Sequence, residues 1–459
     1  MWKRVAVVGG GIAGLAAAVR LRERMPADTE IVVYEQSGVL GGKLRTGELA
    51  GVTLERGAES FLVGAPDGEE SAAVRFVRRL GLGDSLAHPA AVPAALAIGG
   101  RLERLPAGTL VGVPGDLSIL GDVAKVAEGA DADAGRPLLA AGEDVAVGAL
   151  VRERYGDEVA DRLVDPMLGG VYAGRADRLS LEATMPALAQ AARVEHTLVE
   201  AVRVAQAARV RVPGRPIFAA IDGGMSRLVS AAATAGGAQI SLGLPVRELR
   251  PTAHGWRLVL GPVPAPQFAD VDAVVLAVPA TAAGRLLVSA GGPALDLTYA
   301  SVVLVALALP PGTPLPNLSG FLVPPSEGTL VKGATFVTRK WPYLRTEDGP
   351  VIIRASLGRA GEEERLQPDD AVLADRAHTE LGSLLGAALP APIASWVQRW
   401  GGGLPQYPVG HVAAVASVRA GLPPGLALAG AAYDGVGIPA CVASGETAAE
   451  SIATYLEDR

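Results

Sequence analysis

The stretch Arg4-Val5-Ala6-Val7-Val8-Gly9-Gly10-Gly11-Ile12-Ala13-Gly14-Leu15, followed further on by Glu35, decides how the rest of the chain is read. Val5 to Val8 is a short, uniformly apolar run suited to a buried parallel strand, and Ile12 to Met25 carries the apolar spacing of an amphipathic helix. Between them the glycines fall at G-x-G-x-x-G spacing. Gly9 permits a tight turn, Gly11 lets backbone approach a pyrophosphate, and Gly14 lets the helix pack on the strand, so that amides at the helix start, through Gly10, Ile12 and Ala13, face the phosphates. A second strand, Glu30 to Glu35, ends in a carboxylate placed to hold a ribose diol and to disfavour a 2′-phosphate, with Gln36 beside it. An apolar segment behind Lys3 and Arg4 has the outline of a secretory signal, but three glycines and a following strand argue against that.

Composition sets the bounds. A chain of 459 residues is too long for one ordinary core, so two or three domains are expected. With 49% hydrophobic, 19% charged and 4% aromatic residues, it reads as a large, Ala/Val/Leu-rich α/β enzyme. Its net charge of −7, without any Lys/Arg-rich block, leaves no nucleic-acid footprint. No apolar run reaches the roughly 18 residues needed to span a bilayer, and the mean hydropathy of +0.31 leaves room for at most peripheral membrane contact. The single Cys441 cannot form an intramolecular disulfide and the five histidines show no ligand spacing, so a reducing cytoplasm and no metal are expected.

Behind the second strand, Gly41-Gly42-Lys43-Leu44-Arg45 combines a glycine doublet with two cations, which separates FAD from NAD: a flavin dinucleotide needs close backbone approach and positive charge here. Glu55-Arg56-Gly57-Ala58-Glu59-Ser60-Phe61 reads as a loop under the flavin, 64–71 as a surface loop and 72–82 as a helix. The texture of 85–210 is that of an inserted, mainly helical subdomain with strand-like pieces at 94–105. From 211 the α/β pattern returns, with Val246 on a strand that could wall the adenine and Ala269 to Pro279 reading as one buried parallel strand. A β-rich substrate-binding unit covers 285–405. In 406–459 a last strand, Leu426 to Gly430, leads through Gly435-Val436-Gly437-Ile438-Pro439 into a final helix, whose N-terminus would favour the negative charge of a reduced flavin. The fold expected is a discontinuous FAD-binding Rossmann-type α/β domain (1–84, 211–284 and 406–459) with these two additions.

The assembled pattern, including Ala277-Val278-Pro279, resembles the flavin amine oxidase superfamily. Asp165-Pro166 through Gly174, Arg339-Lys340-Trp341, Arg399-Trp400 with Leu404-Pro405-Gln406-Tyr407, and Tyr433 through Cys441 are similar to the coproporphyrinogen/protoporphyrinogen oxidases, in particular those of actinobacterial type. The resemblance implies non-covalent FAD, since no flavin-tethering Cys motif is present. It also implies oxidation of coproporphyrinogen III to coproporphyrin III by O2 in haem synthesis, with protoporphyrinogen IX as the alternative substrate and a downstream ferrochelatase as a partner to consider. Rivals on the same fold are an amine oxidase or desaturase, and a non-catalytic tetrapyrrole or flavin carrier. Gly9 to Gly14, Glu35, Gln36, Gly42, Lys43, Gly57, Ala58, Glu59, Ser60, Val246, Trp400, Val436, Gly437 and Ile438 are the expected cofactor contacts. Arg175, Lys332, Arg339 and Lys340 are the candidates for substrate carboxylates, and no side chain is named as a catalyst. One departure stands out: the family's basic residue after Gly-Ala-Glu-Ser-Phe is missing, since Leu62 to Ala73 holds three acids and no cation.

Overall fold

A computed structural model describes residues 3–210 and 212–459. Its centre is a five-stranded, all-parallel sheet in the order Gln239–Ser241, Glu30–Tyr34, Arg4–Val8, Ala273–Leu276, Leu426–Leu428. Strand residues alternate between two cores, as a pleated sheet covered on both sides requires. Val5, Val7, Ile31, Val33 and Val275 belong to one, under the helices Ile12–Arg24, Ser226–Gly236 and Ile438–Glu457. Ala6, Val8, Val32, Val274 and Leu276 belong to the other, under helix Ala280–Ser289 and an antiparallel sheet of Val246–Pro251, Trp256–Leu260 and Gln267–Val271. The first and last helices pack so closely that a Cβ on Gly445 would sit 2.1 Å from the Ala13 carbonyl oxygen, so only glycine serves there.

The expected single strand Ala269 to Pro279 is two strands. Up to Val271 it pairs antiparallel with Trp256–Leu260, and from Ala273 it pairs parallel with Arg4–Val8. Asp272 makes the switch: its amide donates to the Arg4 carbonyl at 2.8 Å and its carboxylate accepts the Arg4 amide at 2.7 Å. Apolar composition alone does not report a change of partner.

A second sheet has seven strands, ordered Ala394–Pro405, Tyr299–Leu309, Val351–Leu357, Val331–Phe336, Gly320–Leu322, Ala94–Ile98, Arg101–Arg104. The last two are the strand-like pieces read at 94–105 at the start of the mainly helical insert, and they join this sheet: Ala94–Leu96 pairs parallel with Gly320–Leu322, filling an edge the sheet would otherwise expose. The helical part proper packs its own core from Leu110 onwards. Within it, residues 157–172 form one continuous helical run that widens into a π-turn at Ala160–Val164. Pro166 lies just beyond, where it cannot donate to the carbonyl four residues back, and the wider turn absorbs that lost bond. A helix not foreseen, His411–Ala420, buries His411 against Tyr407, their rings stacked at 4.3 Å. No helix among the described residues is long and apolar enough to cross a membrane.

Candidate active site

The glycine turn is built by local sterics. Gly9 takes φ +109°, and a Cβ there would lie 2.5 Å from the Ala277 carbonyl oxygen; a Cβ on Gly14 would lie 2.0 Å from the Gly9 carbonyl oxygen. Gly11 differs, because a Cβ built on it meets no protein atom within 4 Å and its φ of −74° suits any residue. The space in front of Gly11, at the start of helix Ile12–Arg24, is therefore a cradle that a side chain would fill. The glycine doublet crosses above it: the Gly41 amide donates to the Gly10 carbonyl at 2.8 Å, and Gly42, at φ +57°, approaches the Gly11 Cα.

Around the cradle stand unbalanced cations. Lys43 is largely buried beside Cys441, and burial lowers its pKa. Arg45 keeps a buried Nε without a partner, and its guanidinium lies 5.9 Å from the Trp400 ring centre. The second helix N-terminus, at Gly437 and Ile438, follows Gly435-Val436; a Cβ on Gly437 would meet only the Pro439 ring, at 3.6 Å. Burial pushes the Cys441 thiol up to about 11. These features fit a flavin dinucleotide: open backbone for a pyrophosphate, two helix starts and cations without anions. At the end of the second strand, Glu35 accepts the Gly10 and Ser37 amides, each at 2.8 Å, which aims its carboxylate across the turn. Gln36 is exposed beside it, and the Leu244 amide bonds the Glu35 carbonyl at 3.0 Å, bringing half-buried Val246 to the same end.

The loop at Gly57 to Ser60 is held from both sides. A Cβ on Gly57 would lie 2.0 Å from the Lys43 carbonyl oxygen, and the Ala58 amide donates to that oxygen at 3.1 Å. Trp400 donates Nε1 to the Arg56 carbonyl at 2.7 Å. Glu59, expected among the cofactor contacts of this loop, is the centre of a buried charge cluster. It accepts from Lys340 Nζ at 2.5 Å, Trp341 Nε1 at 3.0 Å and Arg354 Nη2 at 2.5 Å. Burial alone would raise its pKa; Arg354 and Lys340 outweigh that and hold it at about 2. Arg354 also donates to the Glu55 carbonyl at 2.9 Å, so a residue of the seven-stranded sheet pins the cofactor loop. Glu55 shares a small cavity of about 20 Å³ with Glu59, Trp341 and Arg354, roughly the room of one water. Burial pushes its carboxyl up to about 7 despite hydrogen bonds from the Met225 amide and Thr46.

The four basic candidates do not converge. Lys340 is paired with Glu59. Among the described residues, the side chain of Arg339 hydrogen-bonds Asn317 alone, at 3.4 Å. Arg175 lies 3.5 Å from buried Asp165, and Lys332 is buried against the Gly169 carbonyl, so these two border the same segment. Arg354 and Glu55 were missed from sequence, although a lone cation in the apolar strand Val-Ile-Ile-Arg-Ala-Ser-Leu was a usable signal for the first.

The model of the flavin-containing amine oxidoreductases matches residues 12–453. The chain belongs to that family. Within the family it is 37% identical, over 98% of its length and 97% of the relative's, to a coproporphyrinogen III oxidase of Mycobacterium tuberculosis. It is 29% identical to the protoporphyrinogen oxidase of Homo sapiens, over 98% of each chain. A crystal structure from Exiguobacterium sp. 255-15, named provisionally as a protoporphyrinogen oxidase, superposes with a TM-score of 0.83 at 29% identity, covering 98% of this chain and 99% of that one. The chain is accordingly a flavin-dependent oxidoreductase of the coproporphyrinogen/protoporphyrinogen oxidase type.

Proposed function

We propose that this flavoenzyme binds FAD non-covalently and oxidises coproporphyrinogen III to coproporphyrin III, consuming three O2 and releasing three hydrogen peroxide. The observation that carries the reading is end-to-end similarity at 37% identity to a protein named coproporphyrinogen III oxidase. Gly11 and Gly42 would cradle the pyrophosphate, Glu35 the ribose, and Val246 the adenine. Gly57 to Ser60 and Val436 to Ile438 would flank the ring, with Trp400 fixing the first of these loops and Lys43 beside the second. Bound FAD supplies the two-electron acceptor and passes the electrons to O2. A porphyrinogen meso carbon that loses hydride leaves a cation spread over two pyrroles, and their N–H groups become acid as it forms. The protein then needs to orient the macrocycle and exclude water rather than supply a strong base.

Protoporphyrinogen IX is the second reading, favoured by the human relative's name. Comparing kcat/KM for the two porphyrinogens by oxygen uptake decides between them. The expected result is a preference for coproporphyrinogen III; equal values, or the reverse order, would overturn the assignment.

A further inference from the structure

Lys332 is the one charged residue in Val331-Lys332-Gly333-Ala334-Thr335-Phe336, a strand in the middle of the seven-stranded sheet. The residue is 6% exposed, and its ammonium makes a single hydrogen bond, to the Gly169 carbonyl at 3.2 Å. That carbonyl already accepts the Ala173 amide at 3.0 Å, so the end of helix Asp165–Tyr172 does not depend on the lysine. Among the described residues no carboxylate lies within 4 Å of its Nζ, and the charged neighbour that acts on it is a second cation, Arg359. Arg359 is 4% exposed, donates to the Val323 carbonyl at 2.9 Å and the Thr329 carbonyl at 3.2 Å, and has its closest carboxylate, Glu362, at 3.9 Å. Burial, then Arg359, depress the Lys332 ammonium to about 7. Arg359 has Glu362 and Asp165 as carboxylate neighbours, whereas Lys332 has no carboxylate partner among the described residues, and an anion beside it would favour its charged form.

The helix end that Lys332 reaches is partly exposed. Gly170 is exposed and Val171 is 48% exposed, although a Cβ on Gly170 would lie 3.2 Å from Leu322 of the sheet. The helix end lies against the sheet at Gly170, and Lys332 reaches from the sheet to the neighbouring Gly169.

We infer that Lys332, reinforced by the charge of Arg359, is a carboxylate-binding point that takes one propionate of the porphyrinogen. This rests on the reading given under Proposed function and adds a specificity-determining residue to it. It supplies from the sheet the cation that Leu62 to Ala73 lacks. A carboxylate there would accept the two unused ammonium protons, and its charge would restore the balance of the pair.

The test uses flavin-loaded protein and two stable ligands, coproporphyrin III and its tetramethyl ester, with binding read by quenching of porphyrin fluorescence and no turnover needed. Lys332→Met should weaken binding of the tetra-acid about tenfold to a hundredfold, the range for one charge-assisted hydrogen bond, and leave the ester within about twofold. Lys332→Arg should restore much of the loss. Equal losses for acid and ester, or none for either, would overturn the inference. Lys332→Gln, which keeps a donor for Gly169 without the charge, is the second variant. If neither neutral variant folds, the lysine is structural and the inference fails. Parent protein that binds neither ligand would instead sink the porphyrinogen reading, and the inference with it.

Discussion

Gly11→Val separates the fold from its ligand. A Cβ at position 11 meets no protein atom within 4 Å among the described residues, and the backbone there, φ −74° and ψ 176°, is open to valine. The only cost to the empty protein is a poorer residue at the helix start, about 1 kcal/mol or less. The same side chain fills the cradle. If it displaces a pyrophosphate from two backbone amides, the loss is about 3 to 6 kcal/mol, or roughly a hundredfold to ten-thousandfold in Kd. Gly14→Ala is the contrasting control: its Cβ would lie 2.0 Å from the Gly9 carbonyl oxygen, so backbone must move and the fold itself suffers, by about 1 to 3 kcal/mol or more. Flavin content after purification, titration of apoprotein with FAD by fluorescence quenching, and melting of the apoprotein measure the two effects. Gly11→Val should melt with the parent and come out colourless. A yellow variant whose Kd lies within threefold of the parent's would refute the placement of the pyrophosphate.

Two further predictions concern the charge cluster under the cofactor loop. Glu59→Gln leaves Arg354 and Lys340 buried without their anion and should destabilise the protein by about 3 to 5 kcal/mol, read as a lowered midpoint in urea. Because Glu59 is held at about 2 when folded, against an ordinary 4.5, its contribution is complete above pH 4.5 and lost as pH falls through 2; a parent-minus-variant difference that does not shrink in acid would contradict this. Glu55 works the other way: held at about 7, it favours the folded state most below pH 4.5, and that contribution disappears as pH rises through 7. Glu55→Gln should flatten stability between those values, by on the order of 3 kcal/mol in all, and an unchanged slope in melts from pH 4.5 to 7.5 would count against the raised carboxyl.

Sequence alone determined the dinucleotide half, because its constraints are local. Gly9, Gly11 and Gly14 act within one strand-turn-helix, and Glu35 ends the neighbouring strand, so spacing along the chain reports spacing in space. The β-rich character of 285–405 was legible for the same reason, its long strands Tyr299–Leu309 and Val351–Leu357 each being an apolar run of its own. What spacing could not report is the choice of partner. Ala94–Leu96 looks like any short strand, and only the folded sheet shows that its edge belongs beside Gly320–Leu322. Glu59 and Arg354 stand almost three hundred residues apart, as Lys332 stands far from Gly169, and a charge in the sequence does not say whether water, a carbonyl or an opposite charge will meet it. Lys340 and Lys332 were equal candidates as residue types. Packing made one the partner of Glu59 and left the other buried with an unanswered charge, because burial raises the cost of an unpaired ion and only the tertiary structure decides which ions are paired.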